Sequence, residues 1–156
     1  MAQTEGPYFK PSSPERTELF EEGMAGQPIE LVGLVLGRDC KPIAGALLDF
    51  WQADDKGRYD NSGFRLRGHQ FSDSEGRYRL RSVVPGIYPG RTRHIHVKVQ
   101  PQGGRVLTTQ LYFPGEPKTA PMVCSARTCR CAQPRTRDGS PGVSISWSGR
   151  GVSAGS

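Results

Sequence analysis

Short apolar runs separated by turn-forming residues make up most of the chain, and their spacing is typical of antiparallel β-sheets. Five runs of strand length stand out, at residues 29–36, 46–52, 78–83, 94–99 and 106–113. Glycine, proline and aspartate lie between them, and the stretch 59–73 is irregular. The segment with most helical character is 14–23, which is long enough for one or two helical turns. The pattern predicts an all-β domain, most simply a β-sandwich.

Composition separates the last quarter of the chain from the rest. Of the 156 residues, 1–117 carry 15 lysines and arginines against 14 acidic residues, whereas 118–156 carry 6 against 1. The formal net charge of +6 therefore arises almost wholly in the tail, which also holds Cys124, Cys129 and Cys131. We predict one domain at 1–117 and a disordered tail at 118–156. A zinc cluster on the three cysteines and nucleic-acid binding are alternatives that depend on this tail alone.

The chain shows no signal for membrane insertion or export. No run approaches the 18 or so apolar residues that a membrane span needs, and the first residues, MAQTEGPYFK, lack the basic-then-apolar order of a secretory signal. We therefore expect a cytoplasmic protein without a membrane or nucleic-acid partner. A homo-oligomer is compatible with the sequence.

The strongest local feature is the pair His94 and His96. Residues two apart on a strand share a face, so the two imidazoles project together while the apolar residues between and after them face a core. Imidazole binds zinc, copper, iron and nickel, and the pair is therefore a candidate metal site. The alternative is two half-exposed histidines without a ligand.

Two tyrosines in turns extend this candidate site. Tyr88 lies in a Pro-Gly-Ile-Tyr-Pro-Gly turn six residues before His94, and Tyr59 follows the strand that contains Trp51. A phenolate oxygen is a hard donor that favours Fe(III), and a nearby cation lowers the pKa of a phenol. Taken alone, each tyrosine is better explained as an aromatic residue of a surface turn. Tyr78 and Tyr112, which lie within strands, are predicted to be packing residues.

Motifs in the body occur in the order found in one enzyme family. They are Leu-Asp-Phe-Trp-Gln-Ala at 48–53, Gly-Arg-Tyr at 57–59, Arg-Gly at 67–68, Pro-Gly-Ile-Tyr-Pro at 85–89, Arg-Thr-Arg-His-Ile-His at 91–96 and Thr-Gln-Leu-Tyr-Phe at 109–113. Residues 4–117 resemble the intradiol ring-cleavage dioxygenases, relatives of protocatechuate 3,4-dioxygenase and catechol 1,2-dioxygenase. The resemblance implies a β-sandwich oxidoreductase of aromatic catabolism that inserts both atoms of O2 into a catechol-type diol and yields a muconate-type diacid.

The resemblance also implies a cofactor and roles for particular residues. A mononuclear, non-haem Fe(III) would be held by Tyr59, Tyr88, His94 and His96. Tyr88 would be the ligand that the substrate displaces and that takes up a substrate proton, while Arg91 would steady negative charge on the ring. Gln110 matches a residue near the oxygen site. Pro7 and Tyr8 match an N-terminal stretch that lines the substrate pocket.

The tail departs from the family, whose members continue to a final strand with a Phe-Asp-Phe-Val-like ending. A shift of the reading frame by two bases allows Asp-Gly-Leu-Phe-Ser near Met122 and Phe-Asp-Phe-Val-Val at 144–148. We therefore predict that the chain from about residue 118 is the product of a frameshift in the gene or its sequencing. On this hypothesis the sandwich lacks its final strand and has an unpaired edge, which impairs the protein.

Two other classes of protein share parts of the pattern. Cupin-like metalloproteins also place His-X-His on a strand, but they add a glutamate that 97–101 lacks, and they leave the tyrosines unexplained. Transthyretin-like or carboxypeptidase-regulatory-like sandwiches are binding modules without catalysis, and the stretches 33–52 and 57–83 resemble them. The joint presence of Tyr59, Tyr88 and the histidine pair favours the dioxygenase.

Overall fold

The computed structural model describes residues 5–37, 39–87, 90–113 and 144–151, the last range for its backbone alone. These residues form two antiparallel sheets. The strands are β1 (Pro28–Leu36), β2 (Leu47–Trp51), β3 (Arg67–Phe71), β4 (Arg77–Val83), β5 (His94–Gln100), β6 (Leu107–Tyr112) and β7 (Ser144–Gly151). One sheet has the order β4-β1-β7 and the other β3-β2-β5-β6. No helix in the described part of the chain is long and apolar enough to cross a membrane.

The core lies between the sheets and follows from the period of two along each strand. Alternate residues of β1 and β4 are buried, apart from the partly buried Gly33, and so are alternate residues of β2 and β5. The cluster includes Leu31, Val35, Leu80, Leu48, Phe50, Ile95, Val97 and Val99, each 0% exposed. The all-β fold class is therefore confirmed.

The outer face of the four-stranded sheet carries the polar and aromatic side chains. In the strand register Arg67 lies opposite Trp51, Trp51 opposite His96, and His96 opposite Gln110. Directly opposed residues of antiparallel strands point to the same side. These four side chains therefore form one row across the outer face.

Residues 14–19 close one side of the sandwich instead of forming the predicted helical turns. The Arg16 amide donates to His69 O at 2.8 Å, and the Leu19 amide donates to Arg81 O at 2.7 Å. His69 belongs to β3 and Arg81 to β4, which are edge strands of different sheets. The helical prediction for 14–23 is wrong, because these long-range backbone bonds replace the local ones that a helix needs.

The sequence pattern located β1, β2, β4, β5 and β6 to within one or two residues. The pattern did not predict β3, which lies within the irregular stretch 59–73. Arg-Gly-His-Gln-Phe has only one apolar residue, so alternation of hydrophobicity cannot reveal it. A Cβ at Gly68 would lie 2.7 Å from Arg16 Cγ and 2.8 Å from Leu19 Cδ2, so a larger residue there would require these side chains to shift.

Strand β7 differs from the expectation that the sandwich lacks its final strand. It pairs with β1 from Ile29 opposite Gly151 to Leu36 opposite Ser144. Ile145 and Trp147 alternate with serines, and this period of two is what a strand pattern requires. The final strand that the hypothesis expected to be lacking is therefore present, paired with β1. The rest of the predicted tail, 118–143 and 152–156, lies outside the described residues.

Candidate functional site

The two histidines of β5 bring their Nε2 atoms together on the outer face of the sheet. His94 and His96 are 6% and 5% exposed, and their Nε2 atoms are 3.0 Å apart. His94 Nδ1 lies 2.6 Å from the Thr92 carbonyl oxygen. A proton on Nδ1 donates to that carbonyl, which leaves the His94 Nε2 lone pair available. The two Nε2 atoms are therefore close enough together to bind one metal ion.

Both imidazoles are held in the neutral form that binds metals. Burial is the largest cause that lowers the pKa of His94, with a further contribution from the charge of Arg91. Burial lowers the pKa of His96 to about 3, and the charges of His94, Arg91 and Arg67 act in the same direction. Near neutral pH neither ring carries a charge that would repel a cation.

Aromatic and backbone groups enclose His96. The Trp51 ring stacks on it, with centroids 4.7 Å apart and planes 7° from parallel. A Cβ at Gly6 would lie 3.8 Å from His96 Cε1, so the N-terminal segment passes over the ring. His96 Nδ1 is buried and has no hydrogen-bond partner among the described residues. Contact with Trp51 and the N-terminal segment thus fixes the ring orientation.

Tyr59 lies between two turns that are closed by aspartates. Asp54 Oδ1 accepts bonds from the Lys56 and Arg58 amides, both at 2.9 Å. Asp60 accepts from the amides of residues 62, 63 and 65 at 2.8 to 3.0 Å. Hydrogen bonds from the Gly63 and Arg65 amides hold the pKa of Asp60 far below its usual range. These carboxylates fix the backbone on both sides of Tyr59.

The Tyr59 ring lies beside the histidine pair. Its centroid is 6.2 Å from that of His96, with the planes tilted by 59°. Tyr8 of the N-terminal segment stacks on it at 4.4 Å and 9°. Phe9, the next residue, meets Trp51 edge-on at 5.0 Å. The N-terminal segment therefore brings Tyr8 against the Tyr59 ring, whereas Pro7 is exposed. That the two residues line a substrate pocket stays a prediction.

The turn that leads to Tyr88 packs on the turn that leads to Tyr59. The Gly86 amide donates to Asp54 O at 2.7 Å. A Cβ at Gly86 would lie 2.3 Å from the Gly57 nitrogen, so no larger residue fits there. Tyr88 itself lies outside the described residues. Its role as a ligand stays a prediction.

The predicted oxygen-site residues form a hydrogen-bonded group at the end of β6. Gln110 is buried, and its Oε1 accepts from Arg91 Nη2 at 2.9 Å and from the Tyr112 hydroxyl at 2.8 Å. Two donors on one oxygen fix the orientation of the amide. Tyr112 was predicted to be a packing residue. It instead lies on the outer face, with its ring 6.1 Å from that of His94.

The donor set suits iron. Two neutral imidazole nitrogens converge, and a phenol adjoins them on the same face. Within the described residues no group of three or more histidines, cysteines, aspartates or glutamates comes together. A metal held here would therefore take oxygen from tyrosine, a hard donor that suits a trivalent ion better than zinc. The residues present fit a ferric ion.

Three residues of the site escaped the sequence analysis. Trp51 stacks on His96, Arg67 holds the Tyr59 turn, and Phe9 packs on Trp51. Trp51 and Arg67 lie in the same row as His96, but their register becomes known only when the strands pair. The sequence offered one signal, a tryptophan three strands before the His-X-His pair.

The chain matches a family model and curated relatives. The model described as Dioxygenase matches residues 4–148. The chain is 35% identical to catechol 1,2-dioxygenase 2 of Acinetobacter lwoffii over 139 residues, which cover 72% of this chain and 50% of that one. It is also 35% identical to the protocatechuate 3,4-dioxygenase beta chain of Burkholderia cepacia over 113 residues, covering 61% and 48%. The chain thus spans about half the length of these relatives.

Solved structures agree in fold. The dioxygenase domain of a dioxygenase carbohydrate-binding protein fusion from the cellulolytic bacterium Streptomyces sp. SirexAA-E is 62% identical, with a TM-score of 0.73 and coverage of 75% of this chain and 76% of that one. An intradiol ring-cleavage dioxygenase from Tetranychus urticae is 28% identical, with a TM-score of 0.63 and coverage of 73% and 64%. Sequence, fold and family model agree, and the chain belongs to the intradiol dioxygenase family.

Proposed function

We propose that the protein binds non-haem Fe(III) and uses it to cleave a catechol-type diol with O2 between the two hydroxylated carbons. The observation that carries the proposal is the pair of Nε2 atoms 3.0 Å apart beside the Tyr59 ring. His94, His96 and Tyr59 would hold the ion, with Tyr88 as the fourth protein ligand. The ion supplies Lewis acidity and a template for the two substrate oxygens.

The protein's own residues bind the substrate and manage its charge. A diol that binds beside Tyr59 would lie near the ring of Tyr8, which stacks on Tyr59. Tyr8 would exclude water from that side of the site. Tyr88, acting at its phenolate oxygen, would take up one of the two hydroxyl protons of the substrate.

Arg91 and Gln110 act where negative charge develops. The planar guanidinium of Arg91 is held by a hydrogen bond from its Nη2 to Gln110 Oε1 at 2.9 Å. A fixed positive charge beside an electron-rich ring stabilises the negative charge that builds up as oxygen adds. One carbon–carbon bond breaks and both oxygen atoms enter the product, a diacid of the muconate type.

The proposal is tested on protein loaded with Fe(III). Tyrosinate-to-iron charge transfer gives a red-brown absorption band, and Tyr59→Phe and Tyr88→Phe should each weaken it. Catechol, protocatechuate and hydroxyquinol, on which relatives act by their names, form the substrate panel. Under 18O2 the product diacid gains two labelled atoms. A protein that stays colourless with iron and leaves all three diols unchanged would contradict the proposal and favour a binding module.

A further inference from the structure

Arg67 on β3 is a buried cation bound to backbone. The residue is 2% exposed. Its Nε and Nη2 donate to the Asp60 carbonyl at 3.0 and 2.8 Å, and Nη1 donates to the Tyr8 carbonyl at 2.6 Å. Among the residues that the structure describes, it forms no ion pair within 4.0 Å. Both acceptors are therefore neutral carbonyls.

The two carbonyls belong to the two partners of one aromatic stack. Asp60 directly follows Tyr59, and Tyr8 stacks on Tyr59 with centroids 4.4 Å apart. A single guanidinium thus ties both backbones to β3, beside Trp51 in the row that contains His96. Only a planar fork can reach both carbonyls at once, so lysine cannot replace it.

The turn at Asp60 does not need Arg67 for its local fold. The Asp60 carboxylate already closes it through the amides of Ser62, Gly63 and Arg65. What Arg67 adds is a connection between this turn, the N-terminal segment and the sheet. A guanidinium bound only to carbonyls is costly to bury, and burial lowers the pKa of Arg67. That cost is consistent with a positioning role.

We propose that Arg67 is a positioning residue that holds Tyr59 and Tyr8 in place beside the histidine pair, so that Tyr59 can bind the metal ion. The proposal rests on the proposed iron-dependent function, since it concerns the same site. It predicts that loss of the fork releases both tyrosines while the sandwich stays folded.

The first test uses iron-free protein and tyrosine nitration by tetranitromethane, mapped by mass spectrometry. In Arg67→Met and Arg67→Lys, nitration of Tyr59 and Tyr8 should rise several-fold. Tyr78, 4% exposed in the core, should stay protected. The matched control is Arg65→Met, since Arg65 is exposed and close by. No rise at Tyr59, or an equal rise at Tyr78, would overturn the proposal, because the latter means that Arg67 holds the whole fold.

The second test uses iron-loaded protein in a Tyr88→Phe background, where Tyr59 alone supplies the charge-transfer band. Adding Arg67→Lys should remove most of that band, whereas adding it to Tyr59→Phe should change little. Because it misplaces a ligand, Arg67→Lys should also lower kcat by about 100-fold, with a smaller change in KM. Equal losses in both backgrounds would overturn the proposal. If wild-type protein shows no band, the iron function fails, while the nitration result still decides the role of Arg67 in placing Tyr59.

Discussion

Gly86 and Gly57 are in backbone contact, and this contact joins the two turns that carry the predicted tyrosine ligands. A Cβ at Gly86 would lie 2.3 Å from the Gly57 nitrogen and 2.4 Å from the Asp55 oxygen. Because its neighbours are backbone atoms, they cannot move aside as a side chain would. The spacing between the Tyr59 and Tyr88 turns therefore depends on glycine at position 86, which has no side chain.

Gly86→Ala should push the two turns apart. We expect a loss of about 1–3 kcal/mol in unfolding free energy from overpacking, together with a weaker tyrosinate band in iron-loaded protein. The control is Gly103→Ala, which has a positive φ of 68° but open space around its Cβ. That variant should lose about 1 kcal/mol through backbone strain and keep its band. Urea unfolding and visible absorption check both, and equal band loss would contradict the prediction.

Iron should stabilise the protein through the histidine pair. A ligand that binds the native state alone at 100 times its Kd adds about 2.7 kcal/mol to the unfolding free energy. We therefore expect Fe(III) to raise Tm and a chelator to reverse the rise. His96→Gln should abolish this shift, because it removes one of the two Nε2 donors.

His69→Gln is the matched control for this experiment. His69 lies on the same sheet face, but its Nδ1 contacts Ser13 O at 2.7 Å and it stands apart from the histidine pair. That variant should lose some stability and keep the full iron-dependent rise. Scanning calorimetry with and without chelator measures both quantities. If His69→Gln lost the shift and His96→Gln kept it, the metal assignment would be wrong.

The sequence pattern predicted β2, β5 and β6 of this site, though not β3, because the alternation along each of the three strands is local. His94 and His96 share a face whatever strand lies beside them. The neighbours of His96 cannot be predicted in this way, because Trp51 and Gln110 lie beside it only through the register of two strand pairs. Register depends on long-range pairing, which no local pattern records.

The burial of Arg67 likewise cannot be predicted from the local sequence. From the sequence alone, the charged side chain of Arg67 is expected to be exposed to solvent. Its burial follows from two carbonyls that the fold brings to it from 7 and 59 positions away in the chain. Tyr59 was singled out as a tyrosine in a turn, and the family resemblance then implied its role as a ligand. Arg67 lay in a quoted motif too, but its task became visible only with the geometry.

Acid should weaken the turn that precedes Tyr59. Although burial alone would raise it, hydrogen bonds from the Arg58 amide and side chain and from the Lys56 amide lower the pKa of Asp54 below its ordinary 3.8. A pKa lowered in the folded state contributes stability above the unfolded value, and this is lost as pH falls toward the folded value. The carboxylate therefore favours folding at neutral pH.

Asp54→Asn should accordingly cost stability at pH 7 and progressively less between about pH 5 and pH 2. The amide keeps one acceptor oxygen, so the backbone bonds are weakened rather than abolished. Urea unfolding of both proteins across that range measures the difference. Asp39→Asn is the control, because Asp39 is exposed. A difference that grows toward low pH would contradict the prediction.

The frameshift hypothesis makes a prediction about the strand that pairs with β1. In the alternative frame, 144–148 allow Phe-Asp-Phe-Val-Val, and these are positions that β7 uses, with Ser148 opposite Val32 and Ser144 opposite Leu36. The hypothesis therefore replaces a segment with two apolar residues, Ile145 and Trp147, by one with four apolar residues at the same edge. More apolar area at that edge gives tighter pairing, at about 25 cal/mol per Å² buried. Restoring the frame should raise the midpoint of urea unfolding and leave the tyrosinate band unchanged, because β7 lies in the other sheet.

The gene's nucleotide sequence decides the hypothesis directly: a stop codon in the alternative frame, or codons that exclude Phe-Asp-Phe, would refute it.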